Sequence, residues 1–167
     1  MTDIVNQQTR SRMMAGIKGK NTKPELLLRR ALHARGFRFR IHSSKVPGRP
    51  DIVLPKHRAV IFVHGCFWHR HEGCRYATSP KTRHEFWQAK FEANIARDTA
   101  VRTALLNDAW RVATVWECAV RKSTDIAITV DLIAAWLCLG AAQLDVSEND
   151  TRNTMLSIRI GSIDTRL

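Results

Sequence analysis

A chain of 167 residues with 44% hydrophobic and 25% charged side chains has the balance of one globular domain, long enough to bury about two-thirds of its unfolded surface without a disulfide framework. No apolar run approaches the roughly 18–20 residues of a membrane span, and the first eight residues carry no basic-then-apolar leader pattern, so a cytoplasmic protein is expected, with its four cysteines as free thiols or metal ligands. The net charge of +12 is lopsided: residues 1–50 hold twelve Lys/Arg against two acids, 51–122 twelve against seven, and 123–167 three against six, so the first three-quarters present a field suited to a polyanion such as nucleic acid.

In chain order, residues 9–18 read as a short basic helix carrying Met13 and Met14. Thr22-Lys23-Pro24-Glu25 then supplies an N-cap, a first-turn proline and a capping-box acid, which predicts a helix over 23–35 closed by Gly36. Phe37-Arg38-Phe39-Arg40-Ile41 alternates apolar and basic, the period of a strand with one face inside. After a turn at 47–50, two apolar runs at 52–54 and 59–63 flank Pro55-Lys56-His57-Arg58 and read as a hairpin. Residues 64–82 are punctuated by Gly, Pro and Ser and read as a loop. A long helix is expected over 84–108, with Phe86, Trp87, Phe91, Ile95, Val101, Leu105 and Leu106 inside, followed by a strand over 110–116 and a helix over 124–139. The order predicts an α/β domain over 1–140, a central mixed β-sheet flanked by helices. Residues 141–167 turn polar and aperiodic, so a loosely ordered tail is expected there.

Chemistry concentrates between residues 60 and 74. Cys66, His71 and Cys74 lie on one loop, and Cys118 follows the next strand, a set of donors suited to a tetrahedral Cys3His zinc site. The competing reading makes Cys66 and Cys118 small buried hydrophobes and the histidines solvated. Cys138 falls between Leu137 and Leu139 and reads as core. Asp51 opens one strand of the hairpin and His64 ends the other, so the two can converge on a hard cation such as Mg2+, although Pro-Asp is also a turn dipeptide. Glu25 is explained by the capping box alone. His69 is either a general base or an exposed histidine. Phe67 and Trp68 are adjacent on a loop, so at least one is expected to face outward, where it can stack on bases.

Pro47-Gly48-Arg49-Pro50-Asp51, the run at 60–71 with Gly65-Cys66-Phe67-Trp68-His69, the Phe86-Trp87 helix, and Trp110-Arg111-Val112 with Val115-Trp116-Glu117-Cys118 together resemble the very-short-patch (Vsr) mismatch repair endonucleases over about residues 9–140. The resemblance implies a restriction-endonuclease-like fold with a structural zinc. It also implies an enzyme that nicks DNA 5′ of the thymine in a T:G mismatch left by 5-methylcytosine deamination. Carried over, it makes Asp51 a ligand of catalytic Mg2+ with the backbone carbonyl of Val63, a position where the family can carry threonine. His69 becomes the base, His64 and Asp98 supporting residues, and Glu25 an outer-shell acid. Cys66, His71, Cys74 and Cys118 match the zinc ligands. Phe67 and Trp68 match the wedge beside the mismatch, and Met14, on an N-terminal DNA-contacting arm over 1–20, matches the residue entering from the minor groove. Double-stranded DNA is the implied partner, with mismatch-repair proteins as further ones, and a monomer is the simplest state for a nickase. The tail beyond Gly140 is then expected to be dispensable. A restriction-type enzyme cutting both strands, or a zinc-stabilised DNA-binding module without catalysis, would use many of the same residues.

Overall fold

Helix α1 (Lys23–Ala34) begins where the capping box places it: the Thr22 side chain accepts from the N3 backbone while Glu25 reaches back to the Thr22 N–H. Its inward positions Leu28 and Leu32 are fully buried. The computed structural model describes residues 8, 9, 12 and 19–161, with side chains to Thr154. Met14 and most of the basic helix expected at 9–18 lie outside the described residues.

The hairpin forms as its apolar runs require. β1 (Ile52–Leu54) pairs antiparallel with β2 (Ala59–His64), setting Ile52 opposite Ile61 and Leu54 opposite Ala59. β2 then runs parallel to β3 (Arg111–Trp116) through the crossover helix α2 (His84–Asn107), with His64 beside Trp116 at the strand ends. Helix α3 (Ser123–Leu139) leads to β4 (Gln143–Val146), which pairs parallel with β3. The result is an α/β fold around a four-stranded mixed sheet in the order β1-β2-β3-β4. Period-two alternation divides its two faces. Ile52, Leu54, Ile61, Ala113 and Val115 pack with α1 and α3, while Val53, Val60 and Val112 pack with Leu105 of α2.

Four expectations are corrected. The alternating segment 37–41 makes a single bridge, Arg40 to Val53, with both hydrogen bonds at 2.8 Å. Pairing stops there because the chain bends at His42, whose φ is 46°, and Phe37 and Phe39 reach the core from loop. Phe86 and Ile95 are not inside: they are 47% and 45% exposed. A helix of 24 residues is about 36 Å long, whereas strands of at most six residues span about 20 Å, so the first half of α2 projects past the sheet. Cys138 is exposed rather than core.

The fourth correction concerns the tail. Its polar composition hid a four-residue strand whose only inward residues are Leu144 and Val146. β4 completes the sheet with Val146 fully buried, and α4 (Glu148–Gly161) follows, with Thr151 fully buried. Arg111 also ties this end together, donating to the carbonyls of Trp136, Leu137 and Ala141 at the end of α3. Deleting 142–167 therefore uncovers the β3 edge and removes a buried valine, worth about 2–3 kcal/mol for the side chain alone. Urea melts are expected to show the truncated chain less stable by at least that amount; an unchanged midpoint would show the segment is dispensable.

Candidate active site and metal centre

The chemistry gathers at the carboxyl ends of β2 and β3, where parallel strands leave a crevice unfilled by their own ladder. Continuing the β1–β2 register would set Pro50 opposite Val63. Pairing ends there, and the Asp51 carboxylate takes over: its Oδ2 accepts the Val63 N–H at 2.7 Å. The preceding turn is tightly seated. A Cβ at Gly48 would lie 2.2 Å from Val101 Cγ1, and φ there is +74°, so only glycine fits. Burial pushes the Asp51 carboxyl up to about 6, against the opposing Val63 bond and with nearby Glu25 adding to the rise. A half-buried carboxylate in that state is suited to a cation, and Oδ1 is the oxygen left for one.

His64 closes β2, and its ring stacks on His69 with centroids 3.9 Å apart and planes 7° apart. Burial holds His64 down to about 3, and the neighbouring His69 lowers it further, so it stands neutral beside its partner. His69 Nδ1 lies 2.5 Å from Asp98 Oδ2 on α2. Burial alone would raise Asp98, but that bond and the His69 charge outweigh it, and the net shift is downward. Pairing Nδ1 with a carboxylate leaves Nε2 as the nitrogen that can take a proton. These residues, with Asp51, Val63 and Arg102, line an open cleft of about 700 Å³ whose wall also carries Lys90 and Arg97. Cationic side chains beside the carboxylate suit a phosphodiester.

Glu25 also lines this cleft. Its four acceptor positions are all engaged: Oε1 with the Thr22 N–H and hydroxyl at 3.2 and 2.8 Å, Oε2 with the Asn21 N–H at 3.0 Å and Arg29 at 2.7 Å. His42, which the sequence did not single out, sits 3.1 Å from Arg29 and groups with Glu25 and Asp51. No periodicity marks it; only the bend after residue 41 carries it here. Arg29 was likewise not singled out, although its i+4 spacing from Glu25 on one helix face is the signal that could have found it.

The second centre joins the same two strand ends. Cys66 follows β2 and Cys118 follows β3, and the loop returns His71 and Cys74 to them. Ligand atoms of all four lie within 4.8 Å of one another, compatible with tetrahedral Zn–S bonds of about 2.3 Å. His71 presents Nδ1, 3.6 Å from Cys118 Sγ. The donor set fits zinc: three thiols and one imidazole converge on one point, the ligand types and number of a structural site. A hydrogen bond from Cys66, together with the Glu148 N–H and His71, brings Cys118 down to about 6 despite burial, while Cys66 is pushed up by the same bond.

Trp116 lies between the two centres. It stacks on His71 at 4.2 Å, meets His64 edge-on at 5.5 Å, and is fixed from β4 by its Nε1 donating to Asp145 at 2.6 Å. Only the parallel register, not the local sequence, reveals that position.

Phe67 and Trp68 do not stand free. Both are half-buried in an aromatic cluster, Phe67 packing edge-on against Trp87 at 5.5 Å and Phe91 at 5.2 Å. Asn94 anchors the Trp68 carbonyl at 3.0 Å, and Lys90 lies 5.4 Å from the Trp68 ring. The projecting half of α2 thus carries these rings beside the cleft.

Residues 2–75 match the family model described as DNA mismatch endonuclease Vsr. A type II nicking enzyme, V.XorIIP, from Xanthomonas oryzae pv. oryzae is 50% identical over 118 residues, 71% of this chain and 86% of that protein. The DNA mismatch endonuclease Vsr of Escherichia coli is 41% identical over 150 residues, covering 87% and 95% respectively. A further type II nicking enzyme, V.NmeAIP of Neisseria meningitidis, is 42% identical over 122 residues, 73% of this chain and 86% of its own length.

Proposed function

The chain belongs to the Vsr family of DNA mismatch endonucleases, and from that membership we propose that it nicks one strand of duplex DNA 5′ of the thymine in a T:G mismatch, by Mg2+-dependent hydrolysis. Its family is one of DNA nicking endonucleases, so a nuclease acting on DNA is the ground on which the finer reading rests. Among the described residues no helix is long and apolar enough to cross a membrane.

The observation that carries the chemistry is the placement of a half-buried carboxylate, Asp51, in one cleft with a histidine whose Nδ1 is fixed by Asp98. Asp51 with the Val63 carbonyl would hold Mg2+, which supplies Lewis-acid polarisation of the scissile phosphate. His69 accepts a proton from the attacking water at Nε2, and Asp98 stabilises the charge that results. His64, kept neutral by burial, stacks on His69 without adding a second cation. Glu25 acts as an outer-shell acid only by exchanging one of its present bonds, and that to the Thr22 hydroxyl is the one not made by a backbone or charged donor. Arg102, Arg97 and Lys90 draw the phosphate backbone into the cleft. Phe67 and Trp68 form the wedge beside the mismatch, with Met14 entering from the opposite groove. Unstacking a mispair costs less than unstacking a matched step, a physical source of selectivity.

The test is a gel assay with Mg2+ on end-labelled duplexes carrying T:G or C:G at one position within candidate methylation sites. A single nick 5′ of the mispaired thymine, absent from the C:G duplex, is the expected result. Cleavage of both strands of the C:G duplex would replace this reading with a restriction-type one, and binding without cleavage would replace it with a non-catalytic module.

A further inference from the structure

The C-terminal segment, polar and aperiodic in sequence, lies directly on the Cys3His centre. Helix α4 starts at Glu148, whose backbone N–H is among the donors a helix leaves without an internal partner. It points at Cys118 Sγ, 3.4 Å away. Ser147 and Asp150 set the helix start, the Ser147 N–H and hydroxyl donating to Asp150 Oδ2 at 2.8 and 2.5 Å. The Glu148 side chain is equally committed. Only 9% exposed, it takes Arg75 at 3.0 Å, Arg152 at 2.6 Å and Lys122 at 3.8 Å on one oxygen. Arg75 directly follows the ligand Cys74, and Lys122 follows the turn that carries Cys118. One residue therefore bonds a ligand with its main chain and, through its carboxylate, grips the segments carrying two ligands.

We propose that Glu148 is a positioning residue of the metal centre, a clasp that holds the Cys74 and Cys118 segments together and slows the escape of zinc. The helix start brings its positive dipole end to a sulfur that must be a thiolate to bind metal. Outer contacts of this kind commonly change metal affinity by about 10–100-fold. The proposal rests on the zinc reading of the four-residue cluster and extends it to a part of the chain that contributes no ligand.

The experiment is capture of zinc by a colorimetric chelator from the zinc-loaded full-length chain, followed in time. Glu148→Ala is expected to release zinc about tenfold faster than wild type. Arg75→Ala should do nearly the same, and the double variant should be no faster than Glu148→Ala within about twofold, since both break one contact. Arg152→Ala is the control. Arg152 bonds the same oxygen from within α4 rather than from a segment that carries a ligand, so its release rate should stay within about twofold of wild type. If Glu148→Ala does not fold, Glu148→Gln keeps the backbone bond and shape, and a several-fold acceleration is expected of it and of Arg75→Ala. Wild-type release from Glu148→Ala, or from both Glu148→Gln and Arg75→Ala, overturns the proposal. So does equal acceleration by Arg152→Ala, which would mark a general loss of helix stability. Wild-type protein that retains no zinc at all would instead overturn the zinc reading beneath it.

Discussion

Asp51→Asn is expected to lower nicking by about a thousandfold or more while leaving the fold intact, because it removes the charge a cation needs and keeps the shape. The asparagine carbonyl can still accept the Val63 N–H that Asp51 Oδ2 now takes at 2.7 Å. Stability should move the other way. Burial raises the Asp51 carboxyl from 3.8 to about 6, so the folded state binds its proton more readily than the unfolded chain. At pH 7 both states are ionised and the folded state bears the cost of a buried charge. As pH falls from about 6 through 4 the folded protein protonates first and gains stability. Without metal, the substituted protein should then be more stable than wild type in urea at pH 7 by about 1–3 kcal/mol, and the difference should vanish towards pH 4. Nicking within tenfold of wild type would remove Asp51 from the chemistry.

Cys118→Ser is expected to bring the second large loss, this time in stability. The variant would lose one thiolate of a four-ligand structural set, and with it part of the metal-binding free energy that such a set contributes to folding. The variant should purify with less than about a tenth of a zinc per chain. Its melting temperature should fall by roughly 10 °C, the size of a loss of about 3–4 kcal/mol in a domain of this length. Chelator treatment of wild type should reproduce that shift. Full zinc content with an unshifted transition would show that Cys118 is packing rather than ligand.

Features fixed by neighbours in sequence were the legible ones. The capping box predicted the start of α1, and two apolar runs around Pro55-Lys56-His57-Arg58 predicted the β1–β2 hairpin. Four cysteine and histidine residues near two strand ends predicted a cluster that the fold does assemble. What stayed hidden depends on distant partners. β4 alternates over only four residues, Gln143-Leu144-Asp145-Val146, with Leu144 and Val146 inward, too short a period to stand out from a polar segment until the free edge of β3 pairs with it. The first half of α2 shows apolar spacing for a sheet that does not extend far enough to cover it. His42 and Trp116 enter the site through a bend and a register, neither of which a local pattern encodes.

The run of rings His69, His64, Trp116 and His71 joins the cleft to the thiol cluster, so the cleft is expected to depend on the chemical state of its sulfurs. His71 is held in place by the thiol cluster, and the packing of the other rings follows from where it stands. Mild peroxide that couples Cys66, Cys74 or Cys118 would take away the anchor of that stack. Oxidation is then expected to silence strand cleavage in step with zinc release, with thiol reductant and fresh zinc restoring both.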